Sequence, residues 1–170
     1  MPRPPLHRGA TFLSSLGLGR TYILTHPLVH RTNQTPNVWK AFDAHSPNDT
    51  YVLKGPRDES KKAAWDEFRR EVAFQKMFRE TGARFVRGLV DLVRLQQPCE
   101  EGMGVGEYMV LEPFEKTLWM ARLTRGLSRR EIKWVMRGSL MGLREIHERG
   151  LVHCGISPPS CPDEAGRAAR

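Results

Sequence analysis

The sequence predicts an α+β fold: a five-stranded antiparallel sheet crossed by one helix, followed by a helical segment. Three observations point to it. Short alternating runs separated by turn-forming residues occupy positions 21–54. The apolar spacing then changes to three and four between Lys61 and Glu80. After two more strand-like runs, a second periodic stretch opens at Ser128 and closes at Gly150.

Each element follows from its residues. Residues 1–20 read as a disordered lead-in. Tyr22-Ile23-Leu24 and Leu28-Val29 flank Thr25-His26-Pro27 as one extended segment, in which proline suits an edge or a bulge. Val38-Trp39-Lys40-Ala41-Phe42 alternates as a second strand, and Ser46-Pro47-Asn48-Asp49 signals a turn. Tyr51-Val52-Leu53-Lys54 makes the third strand, broken by Gly55-Pro56. In the helix that follows, Trp65, Phe68 and Val72 set the apolar stripe, widened by Phe74, Met77 and Phe78, and Gly82 can end it. Leu89–Val93 and Tyr108–Leu111 supply strands four and five, joined by a polar loop from Gln96 to Gly106. Glu112-Pro113-Phe114-Glu115 connects the sheet to the helices. Ser128 and Glu131 match a capping box, in which each side chain satisfies a free backbone donor at the other position. Ile132, Val135, Met136, Leu140, Leu143 and Ile146 form that helix's apolar stripe. Proline and small polar residues dominate 157–170, which reads as a disordered tail.

Composition narrows the function classes. The chain has 170 residues, 39% hydrophobic and 27% charged, which suits a globular domain with its own core. No apolar run approaches the roughly 20 residues that cross a bilayer, so no membrane partner is expected. The net charge of +8 is dispersed among acidic residues, as in Arg69-Arg70-Glu71 and Arg129-Arg130-Glu131, and lacks interleaved aromatics. This pattern suits a solvated face and a polyphosphate ligand better than a nucleic-acid platform. Cys99, Cys154 and Cys161 lack metal-ligand spacing, which favours a reducing setting, cytoplasmic or nuclear. Residues 1–40 carry five basic and no acidic residues, a bias shared with mitochondrial presequences.

Lys54 at a strand end and Glu71 on the next helix could form an ion pair that aims an ammonium at an anion. The alternative is a surface lysine beside a solvent-facing glutamate. The order of these elements resembles a protein kinase over roughly residues 22–156. The wording Arg70-Glu71-Val72-Ala73-Phe74-Gln75, Val110-Leu111-Glu112-Pro113 and Ile146-His147 before Gly150-Leu151-Val152-His153 is similar to a fungal-type branch of the Ser/Thr kinase superfamily. The resemblance divides the chain into a kinase-like N-lobe at 21–113 and a partial C-lobe at 114–156, holding a short helix, the long helix and the start of a catalytic loop.

That resemblance implies an ATP site. Lys54 would contact the α- and β-phosphates with Glu71 holding it. Val38 and Val52 would sandwich adenine, and Glu112 would begin the hinge that reaches Phe114. Two departures weaken it. The segment Leu28–Asn37, where a glycine-rich phosphate loop is expected, contains no glycine, so Arg31 and Lys54 would have to act as charges. Aligning His153 with the catalytic-loop histidine puts Gly155 at the expected Asp, Ser157 at the Lys and Ser160 at the Asn. No Asp-Phe-Gly follows, so Mg ligands are missing. The resemblance therefore implies weak ATP binding by an inactive, truncated phosphotransferase. Two explanations stay open for the ending: a natural truncation, or a wrong reading frame or splice choice over the last fifteen or so residues. The alternative function is a pseudokinase interaction module that binds a protein partner through its exposed helices.

Overall fold

The computed structural model describes residues 6–28, 36–95 and 107–153. It contains two units, Met1–Pro113 and Phe114–Arg170. In the first, the strands β1 (Thr11–Ser14), β2 (Thr21–Pro27), β3 (Val38–Asp43), β4 (Ser46–Lys54), β5 (Leu89–Leu95) and β6 (Tyr108–Leu111) accompany the helix α1 (Lys62–Glu80).

The sheet is a closed barrel in the order β1-β2-β3-β4-β6-β5, with every pairing antiparallel. This corrects the expected five-stranded sheet. The sixth strand comes from residues 1–20, where a disordered lead-in was expected. Phe12 and Leu13 pair with Tyr22 and Thr21 on one side and with Leu95 and Arg94 on the other. The run is too short to signal a strand alone, yet closure satisfies two rows of backbone groups at once and removes both sheet edges.

A second correction concerns the hairpin between β3 and β4. Its turn is Ala44–His45, not Ser46–Asp49. Asp43 accepts from the His45 N–H at 3.1 Å, fixing that turn. The register jumps from Asp43↔Ser46 to Phe42↔Thr50, so Pro47, Asn48 and Asp49 bulge outward and are exposed. Proline lacks the N–H a ladder position needs, and a bulge accommodates it. Pro27 ends β2 beyond a similar register shift between Leu24 and His26, where the Thr25 hydroxyl donates to the Lys40 carbonyl at 3.0 Å.

Alternation along the strands builds two cores. Phe12, Tyr22, Leu24, Trp39, Leu53, Tyr108 and Val110 fill the barrel. Val52, Leu89, Leu92, Met109 and Leu111 point outward and pack against Phe68 and Val72 of α1. Both sheet faces are therefore buried here, which explains why Tyr108–Leu111 reads as an unbroken apolar run rather than an alternating one. Phe74, expected to widen the α1 stripe, is exposed, because the contact with the sheet runs along Trp65, Phe68 and Val72.

The second unit contains α2 (Leu118–Thr124) and α3 (Arg129–Glu148). The Thr117 hydroxyl accepts the Met120 N–H at 3.1 Å and starts α2. The capping box at Ser128 and Glu131 is present in both directions. The Arg125 guanidinium, aided by Ser128, holds the Glu131 carboxyl far below the usual carboxylate range. Gly150 follows α3 with φ at +71°, a conformation open to glycine at little steric penalty. Of the expected stripe, Val135, Leu143 and Ile146 are half-buried, whereas Ile132, Met136 and Leu140 are exposed.

Candidate functional site

The site begins with the two-residue period of β4. Leu53 points into the barrel, so Val52 and Lys54 point to the opposite face, toward α1. On α1, Phe68 and Val72 are one turn apart and buried, and Glu71 lies beside them on the flank of that face. Lys54 and Glu71 thus meet at the margin of the apolar contact. The Lys54 ammonium donates to the Glu71 carboxylate. The side chains remain 29% and 40% exposed. An ion pair this open contributes at most about 1 kcal/mol to stability, so its main consequence is to fix where the ammonium points.

The chain leaving β4 is clamped. The Gly55 N–H donates to the Asn37 carbonyl at 2.8 Å, and the Asn37 amide returns a bond to the Gly55 carbonyl at 3.1 Å. A Cβ on Gly55 would lie 2.8 Å from the Tyr108 ring, so no larger residue fits without moving the core. The Tyr108 hydroxyl donates to the Glu59 carboxylate at 3.2 Å, and the Trp65 indole donates to the Glu59 carbonyl at 3.0 Å. Asp58 accepts from the backbone and hydroxyl of Ser60 and pairs with Lys61, and these partners lower its pKa to about 2. Together these bonds tie the segment between β4 and α1 to Tyr108 and Trp65.

A pocket of about 60 Å³ opens between these elements. Its lining includes Asn37, Lys54, Arg57, Glu67 and Glu71. No group of three or more potential metal ligands exists among the described residues.

Val52 is buried against α1, and Val38 is half-buried beside it. Glu112 follows Leu111, which pairs with Val52 and Leu89. Its carbonyl accepts two bonds from the Arg87 guanidinium, at 2.9 and 2.6 Å, and its N–H donates to the Gly88 carbonyl at 3.2 Å. Burial lowers the Arg87 pKa, opposed by the charge of Glu112. Phe114 begins the second unit and is exposed. Arg31, Gly155, Ser157 and Ser160 lie outside the described residues.

This arrangement of strands and helices is similar to the solved kinase domain of a rhoptry antigen from Toxoplasma gondii, with a TM-score of 0.53. The two chains are 15% identical, and the match covers 86% of this chain and 48% of that one. The fold is kinase-like. The chain spans about half the length of the structure it matches. No protein-family model matches it, and no curated protein does.

Sequence reasoning passed over Asp91, which is fully buried in β5. It accepts the Tyr22 hydroxyl at 3.1 Å, the Leu92 N–H at 2.7 Å and the Leu16 N–H at 3.4 Å. Burial pushes the Tyr22 pKa up, keeping its hydroxyl a donor. Asp91 thereby ties the turn after β1 to β5. The available signal was a carboxylate at the centre of the apolar run Leu89–Val93, which requires buried partners. Arg87 was passed over too, and it carried no sequence signal beyond its charge.

Proposed function

We propose that the chain is a kinase-like domain, of the Ser/Thr type its sequence resembles, that binds nucleotide polyphosphate weakly and transfers no phosphoryl group. The observation that carries this reading is the Lys54 ammonium held by Glu71 beside a pocket that also contains Arg57. A fixed lysine charge in a concave site suits an anion. Lys54 and Arg57 would meet the phosphates, and Glu71 would keep Lys54 from swinging into solvent. When bound, a metal–nucleotide complex would bring its own divalent charge to the phosphates. The inactivity follows from the sequence: Gly155, Ser157 and Ser160 replace the groups that orient an acceptor and hold metal.

The test is thermal unfolding against millimolar ATP, with and without magnesium. At ten times Kd a ligand adds about 1.4 kcal/mol, a rise of several degrees for a domain of this size. Lys54→Met should remove that rise while changing the unliganded stability by less than about 1 kcal/mol. An unchanged melting curve across the titration would sink the nucleotide reading.

The exposed apolar residues of α3 favour a second reading, a protein-interaction module. Trp134 is 77% exposed, with Ile132, Met136 and Leu140 also open. This reading expects association that Ile132→Glu with Leu140→Glu abolishes and Lys54→Met leaves intact, followed by sedimentation. A monomer indifferent to those changes would count against it.

A further inference from the structure

Residues three and four apart are neighbours on a helix surface, and on α3 that spacing sets two rows side by side. Ile132, Met136 and Leu140 make an apolar row, open to solvent by 49%, 56% and 60%. Arg129, Lys133 and Arg137 make a cationic row, each of them exposed and each three residues before a member of the apolar row. Rows at a spacing of four are ridges, and a second helix packs by laying a ridge of its own into the groove between two of them.

The carboxylates of this helix do not neutralise the cationic row. Glu131 pairs with Arg125, and Glu148 pairs with Arg144. The side chains of Arg129, Lys133 and Arg137 have no ion-pair partner among the described residues. On the other flank of the apolar row, Val135 and Leu143 are half-buried and Gly142 is buried, so only the cationic flank stays open. Charge then selects the occupant. A second copy would bring five basic and three acidic residues on the same helix, two of the acids already paired, and so set cation against cation. A bilayer surface favours an apolar face with aromatic residues at its edge. Trp134 instead lies about 200° round the helix from Ile132, at roughly 100° per residue.

We infer that these two rows are the docking face for an acidic amphipathic helix of another protein. Its aliphatic ridge lies against Ile132, Met136 and Leu140, and its carboxylates meet Lys133 and Arg137. The inference rests on the protein-interaction reading above and specifies the chemistry of the partner. The apolar row would accept any aliphatic ridge, whereas the unpaired cations beside it admit an acidic helix and repel a basic one.

The experiment titrates the full chain into two labelled helical peptides and reads their fluorescence anisotropy. One carries a leucine ridge flanked by glutamate, and the other is identical except for lysine at every glutamate. The acidic peptide is expected to bind at least about fivefold more tightly, because several exposed charge pairs change sign together. Added salt should shrink that preference. Ile132→Ser with Leu140→Ser should lose both peptides. Lys133→Glu with Arg137→Glu should reverse the preference, a gain of binding to the lysine peptide that an unfolded variant cannot produce. A smaller preference, with binding still lost in the serine variant, overturns the inference and leaves the interaction reading standing. So does self-association in sedimentation that excludes both peptides, which would assign the face to a second copy. A preference unmoved by the Lys133→Glu and Arg137→Glu changes overturns the role of the cationic row. Binding to phosphatidylcholine–phosphatidylserine vesicles but to neither peptide overturns the inference in favour of a membrane surface. A chain that binds none of these and does not self-associate overturns both the inference and the reading beneath it.

Discussion

At the scale of single residues, the polar groups that matter are those with no exit to water. Asp91 is fully buried and accepts three bonds from Tyr22, Leu92 and Leu16. Removing its carboxylate strands those donors in the barrel wall. Asp91→Ala should therefore lose roughly 3 kcal/mol, seen as a lower urea midpoint. Asp58 gives the opposite case, an exposed carboxylate with a pKa lowered to about 2 by Ser60 and Lys61. Its unfolded value is higher, near 3.9, so its stabilising effect is present above that value and lost as the pH falls toward the folded one. Asp58→Asn should flatten the fall in stability between about pH 4 and pH 2, measured by melting at each pH. An unaltered acid limb would show that Asp58 does not anchor the entry to α1.

At the scale of elements, two glycines with close neighbours behave differently. Gly55 faces the Tyr108 ring, which is wedged edge-on between Phe12 and Trp65 and cannot yield. Gly88 faces only the end of the Glu112 side chain, which can swing away. Gly55→Ala should cost about 1–3 kcal/mol in denaturant titration, and Gly88→Ala much less. Because Gly55 follows Lys54 directly, the first change should also weaken any Lys54-dependent ligand effect. Much of this scale was legible beforehand. The three-and-four spacing through Phe68 and Val72, the capping box at Ser128 and the strand ending in Lys54 are local patterns, and local patterns are what period and capping rules read. At Pro47–Asp49 turn-forming residues make a bulge instead of the expected turn, because the same residues serve both structures.

At the scale of the whole molecule, β1 decides the architecture of the first unit. Phe12 is fully buried and meets the Tyr108 ring at 5.1 Å between centroids. Phe12→Ala should destabilise the domain by about 3–5 kcal/mol. Hydrogen exchange should then accelerate in β2 and β5, which β1 joins, before β3 and β4. Equal acceleration in all strands would mean the barrel opens as one unit rather than along the β1 seam.

By itself the sequence determined α1, α3 and every strand but β1, together with the face that α1 buries through Phe68 and Val72. It also put Lys54 and Glu71 in position to meet, because alternation and helical spacing are written residue by residue. Tertiary structure alone decided that β1 closes the barrel, that Asp91 is sealed inside it and that Arg87 takes the Glu112 carbonyl. Those are choices of partner among distant segments. A strand's pattern specifies the side it buries but not the neighbour it pairs with, so the choice is made only when the whole set of backbone groups must be satisfied together.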